Sequence, residues 1–310
     1  MSSSPSASGE SRLALGAGIG CYLIWGFVPL AFQAMARLGV GPFEILAHRV
    51  VWSLPTAGLI VWLAGQGSQV RGVLRRPRVL AWLALSSLLV ATNWIIYIWS
   101  VNSSHMLEAS LGYYILPLIN MAAGALMFRE RIDRLGYLSM ALAAVGVGVQ
   151  AIAIGGVPVI SIALALSFGG YGIVRKHVAA DAQTGFLIEC LAVGLPALAY
   201  IAWLTHAGLG HFGAGVGVTV WLVAAGPITA IPLVLFAWAA RRIPLSYMGF
   251  LQFLSPTISF AIGLLEGEAF TPLRALSFLF IWGGAAVFLW GAWTRARSVR
   301  LAIAEATPAE

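Results

Sequence analysis

The chain alternates long apolar stretches with short segments that contain Gly, Pro, Arg or acidic residues. A helix that crosses a bilayer needs about 20 mostly apolar residues, because it rises about 1.5 Å per residue through roughly 30 Å of hydrocarbon. Ten stretches reach this length and are predicted to be membrane spans. They cover residues 13–34, 44–64, 79–101, 106–128, 135–154, 157–175, 185–206, 218–239, 245–266 and 273–294. The pattern predicts an all-α, polytopic membrane protein.

The composition leads to the same class. Of the 310 residues, 60% are hydrophobic and only 9% are charged, whereas a soluble domain has about 25% charged residues. Most side chains therefore face lipid or protein, and a soluble enzyme is excluded. The net charge of +7 would suggest nucleic acid in a soluble protein. Here the basic residues lie in short loops, so the predicted surroundings are the lipid bilayer and no nucleic-acid partner is expected.

The basic residues also predict how the chain is oriented. If the N-terminus is cytoplasmic, fifteen of the 18 Lys and Arg residues fall on cytoplasmic segments. Only Arg37 and Arg274 fall on outer loops, and Arg49 lies within the second span. This bias is the positive-inside rule. We expect a multi-pass protein of the inner (cell) membrane, with cytoplasmic tails at residues 1–12 and 295–310.

A weak internal repeat divides the chain into two halves. Residues 111–117 (LGYYILP) resemble residues 250–256 (FLQFLSP), and Gly146 and Gly284 follow at nearly the same offset. The match predicts halves of five spans each, at residues 13–154 and 157–294. An odd number of spans inverts the second half relative to the first. Inverted repeats are typical of transporters, which bind substrate at the repeat interface near the bilayer midplane.

Matching polar stripes mark the fourth and ninth spans. Residues spaced by 4, 3 and 4 share one helical face, and the two stripes are Tyr113, Pro117, Asn120, Gly124 and Gln252, Pro256, Ser259, Gly263. Pro117 and Pro256 are predicted to break their helices. Tyr113, Asn120, Gln252 and Ser259 are predicted to bind substrate, together with Asn93 and Tyr97 of the third span and Tyr22 of the first. The alternative is helix packing, in which small and polar residues are also common.

Ionisable residues within spans are costly, so each is a candidate for function. Glu44, His48 and Arg49 lie in the second span and Glu189 in the seventh. They form a predicted set for coupling or gating, and a contact between Glu189 and Arg49 would make both tolerable. Glu108, which opens the fourth span, is a further gating candidate. The alternatives are a structural ion pair, and for Glu108 a favourable interaction with the helix dipole.

Motifs for enzymatic chemistry are missing from the sequence. There is no HExxH, no GxSxG, no P-loop lysine motif and no GxGxxG that opens a βαβ unit. The two cysteines, Cys21 and Cys190, lie in apolar stretches, and no Cys/His cluster suggests a metal site. We therefore predict no catalytic residue, no metal and no cofactor, and any active transport would be secondary.

Five segments carry a resemblance to a known family. They are residues 20–29 (GCYLIWGFVP), 44–53 (EILAHRVVWS), 93–102 (NWIIYIWSVN), 107–113 (LEASLGY) and 250–257 (FLQFLSPT). The chain resembles the EamA family of the drug/metabolite transporter superfamily, most closely its RarD type, whose members are commonly named chloramphenicol-sensitivity proteins. The resemblance implies a ten-span permease built of two inverted EamA repeats, with both termini inside.

These observations predict a secondary transporter that moves a small organic metabolite or drug-like molecule across the plasma membrane by alternating access. The proton is one candidate coupling ion, through Glu44, His48 or Glu189. Two alternatives from other classes stay open. One is a membrane-embedded enzyme that acts on lipid-linked substrates, and the other is a membrane scaffold that transports nothing.

Overall fold

The computed structural model describes residues 7–128, 133–154, 157–240, 242, 251–267 and 270–306. Within these ranges the chain forms eleven helices and no strand. The helices are α1 Ala7–Arg37, α2 Pro42–Leu63, α3 Gly67–Leu74, α4 Pro77–Asn102, α5 Met106–Phe128, α6 Arg134–Ile154, α7 Val159–His177, α8 Ala182–His206, α9 Val216–Ala240, α10 Leu254–Leu265 and α11 Pro272–Ala306.

Seven of the described helices are long and apolar enough to cross a membrane: α1, α2, α4, α6, α8, α9 and α11. This makes the chain a multi-pass membrane protein. Residues 245–250, at the start of the predicted ninth span, lie outside the described residues. The short helix α3 was not predicted. It lies between α2 and α4, and its buried Val73 packs in one cluster with Leu83 and Val174.

The surface of the helices is apolar, and the largely apolar interior contains many buried polar side chains. Large apolar side chains such as Trp62, which is 74% exposed, and Leu195 point outward. Polar side chains such as Ser86, Asn93 and Gln150 are completely buried. In water this distribution would be unfavourable, but it suits a bilayer because lipid accepts apolar side chains and offers polar ones no hydrogen bond.

The most extensive contacts between the described helices occur in reciprocal pairs. Helix α1 packs on α9 and α10, and α7 packs on α4 and α5. In the same way α2 packs on α9, and α8 packs on α4. These contacts are related by an exchange of helices, in which α1, α2, α4, α5 and α6 change places with α7, α8, α9, α10 and α11 in that order. The exchange leaves three contacts unchanged: α2–α8, α5–α10 and α6–α11.

The crossing of α6 and α11 is reciprocal in its hydrogen bonds as well. Ser139 Oγ donates to the Gly284 carbonyl over 2.8 Å, and Ser277 Oγ donates to the Gly146 carbonyl over 2.7 Å. A Cβ atom on Gly146 would lie 2.8 Å from the Ser277 carbonyl oxygen, and one on Gly284 would lie 2.9 Å from that of Ser139. The two glycines therefore allow the backbones to touch, as small residues do in membrane helix pairs.

The two prolines predicted to break helices behave differently. Two turn residues, Gln252 and Phe253, precede α10, so Pro256 is the third residue of that helix. A first-turn N–H has no partner within the helix, and proline is tolerated there. Helix α5 instead continues through Pro117. Proline removes only the bond to the carbonyl four residues earlier, and a helix packed against neighbours tolerates that loss.

A close crossing of α2 and α9 depends on Gly226. A Cβ atom at this position would lie 2.2 Å from the Trp52 carbonyl carbon, and Ser53 Oγ donates to the Gly226 carbonyl over 3.3 Å. We expect Gly226→Ala to force the helices apart and destabilise the protein by about 1–3 kcal/mol or more. Thermal unfolding of the detergent-purified protein measures this.

The matched control for that variant is Gly217→Ala, on the same helix, where a Cβ atom has nothing within 4 Å. It should leave the unfolding temperature unchanged or raise it slightly, because alanine favours helix. Equal unfolding temperatures for the two variants would contradict the described crossing.

Candidate functional site

Polar and aromatic side chains from six helices meet at one place in the bundle. We call this group the central cluster. Its members come from α1, α2, α4, α5, α9 and α10 and are Phe32, Arg49, Asn93, Trp94, Tyr97, Tyr113, Thr229 and Ser259.

Arg49 provides the charge of the central cluster. Its side chain is 5% exposed, and its Nε atom donates to Thr229 Oγ1 over 2.6 Å. The guanidinium carbon lies 4.1 Å from the centre of the Trp94 ring and 5.4 Å from that of Phe32. The Nη1 atom is buried without a hydrogen-bond partner. Among the described residues, two ring faces and one hydroxyl group therefore hold this cation.

Asn93 joins three helices through its amide. Its Nδ2 atom donates to the Leu164 carbonyl over 3.0 Å and to Ser167 Oγ over 3.1 Å. Its Oδ1 atom accepts a bond of 2.9 Å from the Tyr113 hydroxyl. Both amide hydrogens are thus used within the protein, and Asn93 fixes the position of the Tyr113 ring.

Tyr97 lies between the two predicted polar stripes. Its hydroxyl oxygen is 3.5 Å from Ser259 Oγ. Its ring meets that of Tyr113 edge to face at 5.3 Å, and that of Phe32 at 6.3 Å. The structure therefore brings four of the predicted binding residues together: Asn93, Tyr97, Tyr113 and Ser259.

Two of the remaining predicted binding residues, Tyr22 and Gln252, are not part of this group. Tyr22 packs in a separate cluster with Ala14, Ala239 and Leu251, ten residues and thus about 15 Å along α1 from Phe32. Gln252 lies in the turn before α10, so helical spacing does not place it on the face of Ser259. For Asn120 and Pro117 the side chains lie outside the part of α5 that the structure describes.

Glu189 is bound by Arg175, one of the basic residues predicted to lie on the cytoplasmic segments. Its Oε1 atom lies 3.4 Å from Arg175 Nε and accepts a 2.5 Å bond from Ser86 Oγ. The Glu189–Arg49 contact considered from the sequence is therefore not formed. Gly185, one turn before Glu189, makes room for the Arg175 guanidinium, which a Cβ atom there would meet at 2.0 Å. A glycine one turn from a buried acid was the only signal in the sequence.

Glu44 binds the loop between α8 and α9. Its Oε1 atom accepts a 2.7 Å bond from the backbone N–H of His211, and its Oε2 atom lies 2.8 Å from His211 Nδ1. The His48 ring stacks on Phe212 at 5.2 Å, and neither of its nitrogens has a hydrogen-bond partner. The predicted ionisable set is therefore divided among three places. His211 and Phe212 were missed because loop length does not show where a loop folds back.

Glu108 lies in the first turn of α5, where a carboxylate interacts favourably with the helix dipole. Its backbone carbonyl accepts a 2.7 Å bond from Ser161 Oγ of α7. Glu266 of the α10–α11 connection contacts α1 in two ways. It accepts a bond from Gln33 Nε2, and its Oε1 atom lies 4.0 Å from Arg37 Nη2. The spacing of Gln33, Arg37 and Glu266 along the sequence gives no sign of this contact.

The residues that the structure describes contain no group of three His, Cys, Asp or Glu side chains that could hold a metal ion. Cys21 and Cys190 are both buried free thiols. What the central cluster offers is a cation, several hydroxyl groups and aromatic faces. These groups suit the binding of an organic molecule.

Comparisons of the chain with family models and with individual proteins agree on one family. The EamA-like transporter family matches residues 12–151. An uncharacterized transporter of Vibrio cholerae is 43% identical over 87% of this chain and 89% of its own length. Protein RarD of Streptomyces exfoliatus is 41% identical over 97% of this chain and 96% of its own length. A solved crystal structure at 19% identity shares the fold, with a TM-score of 0.62 over 89% of this chain and 96% of that chain.

The pairing of Glu189 with Arg175 can be tested by removing each partner. Breaking a buried ion pair on one side costs about 3–5 kcal/mol, because it leaves an uncompensated charge. We expect Arg175→Met and Glu189→Leu each to lower the unfolding temperature strongly, and the double variant to recover part of the loss. Arg49→Met combined with Glu189→Leu serves as the comparison and should change the unfolding temperature only by the sum of the two single effects. Recovery beyond that sum in the Arg49 combination alone would refute the pairing.

Proposed function

Because the chain belongs to the EamA-like transporter family and its RarD-named relatives match most of its length, we propose that it is a secondary transporter of a small organic molecule. The observation that carries this proposal is the central cluster. A cation, hydroxyl groups and aromatic rings from six helices are buried together in a protein whose surface is apolar. Buried polar groups of this kind in membrane proteins mark substrate pathways.

The proposed architecture is ten spans in two inverted repeats, at residues 13–154 and 157–294. The reciprocal helix contacts support it, and so do the paired bonds of Ser139 and Ser277. In this arrangement Arg49 belongs to the first repeat and its partner Thr229 to the second. The central cluster then lies at the repeat interface, where transporters of this type bind substrate.

The proposed mechanism is alternating access, and contacts between the repeats at both ends of the bundle would act as gates. At the end with the α1–α2 connection, Glu44 binds His211, and Gln33 binds Glu266. At the opposite end Thr184 Oγ1 donates to Gln66 Oε1 over 2.9 Å. With both sets formed the cluster is enclosed, so the conformation corresponds to an occluded state. Opening one set at a time would expose the cluster to one side.

We propose that the α1–α2 end faces outward and that both termini are cytoplasmic in the inner membrane. The concentration of basic residues at the other end supports this orientation. The proton is the proposed coupling ion, because the contact of 2.8 Å between Glu44 and His211 at the outward end joins two groups that can exchange a proton.

A transport screen with purified protein in proteoliposomes, with and without an imposed pH gradient, tests the function. Once a transported molecule is found, Tyr113→Phe should reduce its uptake severalfold, because the variant removes a hydroxyl of the central cluster and keeps the ring. The matched control is Tyr137→Phe on the exposed surface of α6. Equal uptake by the two variants would show that the central cluster is not part of the transport pathway. A screen that finds no transported molecule would refute the proposed function.

The gating step can be tested by a cross-link. In a Cys21→Ala, Cys190→Ala background, Glu44→Cys and His211→Cys place two thiols where the native side chains touch. A short thiol-specific cross-linker should abolish uptake, and a cleavable version should restore it on reduction. The single variant Glu44→Cys, treated in the same way, controls for modification alone. Full transport by the cross-linked protein would rule out movement at this contact.

A further inference from the structure

The charge of Arg49 is the one feature of the central cluster that the protein leaves incomplete. The buried carboxylates described above each have a cationic or histidine partner: Arg175 for Glu189 and His211 for Glu44. No carboxylate of the described residues lies within ion-pair distance of Arg49. An isolated charge inside a membrane protein is unfavourable, so a partner from outside the chain would complete the site.

We propose that the transported molecule carries a single carboxylate and that Arg49 binds it. This inference rests on the proposed function and adds the chemical class of the substrate. The free Nη1 atom of Arg49 supplies an unused donor at the place where the carboxylate would sit. Arginine is suited to this task because its planar fork matches the two oxygen atoms of a carboxylate.

The surroundings of Arg49 prepare it for binding. The Trp94 ring lies against the guanidinium plane, and Thr229 holds the Nε edge. These contacts fix the cation before a ligand arrives, so little side-chain entropy is lost on binding. They also leave the Nη1 edge without a competing acceptor.

The same surroundings define the rest of the ligand. Phe32, Tyr97 and Tyr113 form aromatic walls next to the cation, which favours an apolar or aromatic body. A single cation balances a single negative charge, so a dianion would leave one charge uncompensated in a buried site. A cationic ligand would be repelled by Arg49.

Binding to the detergent-purified full chain tests the charge requirement. The probes are acetate, phenylacetate and indole-3-acetate, each beside its amide and its amine analogue, and the readout is the shift in unfolding temperature. We expect at least one carboxylate to stabilise the protein while its amide and amine do not. If no carboxylate binds, or if the amide binds as well as the acid, the proposal is overturned.

Variants of Arg49 connect this preference to the residue. Arg49→Met should weaken carboxylate binding about ten- to a hundredfold, which corresponds to the loss of a charged hydrogen bond. It should also raise the unfolding temperature of the ligand-free protein, because an uncompensated buried charge is removed. Arg71→Met, on the exposed side of α3, is the matched control and should bind like the unmodified protein. A purely structural Arg49 would instead lower the unfolding temperature and leave any preference for the acid unchanged, which would refute the proposal.

If Arg49→Met does not fold, Arg49→Lys tests whether residue 49 binds the carboxylate. It keeps the positive charge and should keep the preference for acid over amide, with weaker affinity because the planar fork is lost. Equal binding of acid and amide would overturn the inference. Transport of neutral or cationic molecules that Arg49 variants leave unchanged would also overturn it, but the proposed function would stand. Only the absence of any transported molecule would refute that function.

Discussion

A polar group surrounded by hydrocarbon must find its hydrogen-bond partner within the protein. This constraint orders the whole structure. The backbone meets it by forming helices, and the polar side chains meet it by turning inward, as Asn93 does toward Leu164 and Ser167. Because several helices turn polar side chains toward their neighbours, these groups accumulate where the helices meet. The central cluster is the clearest result of that accumulation.

The same constraint separates two kinds of buried charge. Glu189 and Glu44 receive partners from other helices or loops, so they fasten parts of the bundle to one another. Arg49 receives ring faces and one hydroxyl, which orient its charge and leave one edge unused. A protein under selection for stability alone would gain by replacing such a residue with an apolar one. Its position among the aromatic side chains therefore supports the proposed role in substrate binding.

The sequence predicted the helices well, because the thickness of the bilayer dictates the length of an apolar stretch. It also predicted that Asn93, Tyr97, Tyr113 and Ser259 belong together, because polar residues in spans turn toward the protein interior. The partners of the charged residues could not be predicted from the sequence. Which acid meets which base depends on helix rotation and on the path of loops, and the spacing in the sequence contains neither. Gln252 lies in a turn, so the helical spacing assumed for it from the sequence does not continue there.

The crossing of α6 and α11 has a consequence for movement. If two inverted repeats exchange their conformations during a transport cycle, contacts such as α1–α9 and α7–α4 take each other's geometry. The crossing of α6 and α11 maps onto itself and its two serine bonds are already nearly equal, so it can keep one geometry while the repeats exchange theirs. Its two serine bonds merely trade places. The crossing would therefore keep its shape throughout the cycle and act as the fulcrum on which the rest of the bundle turns.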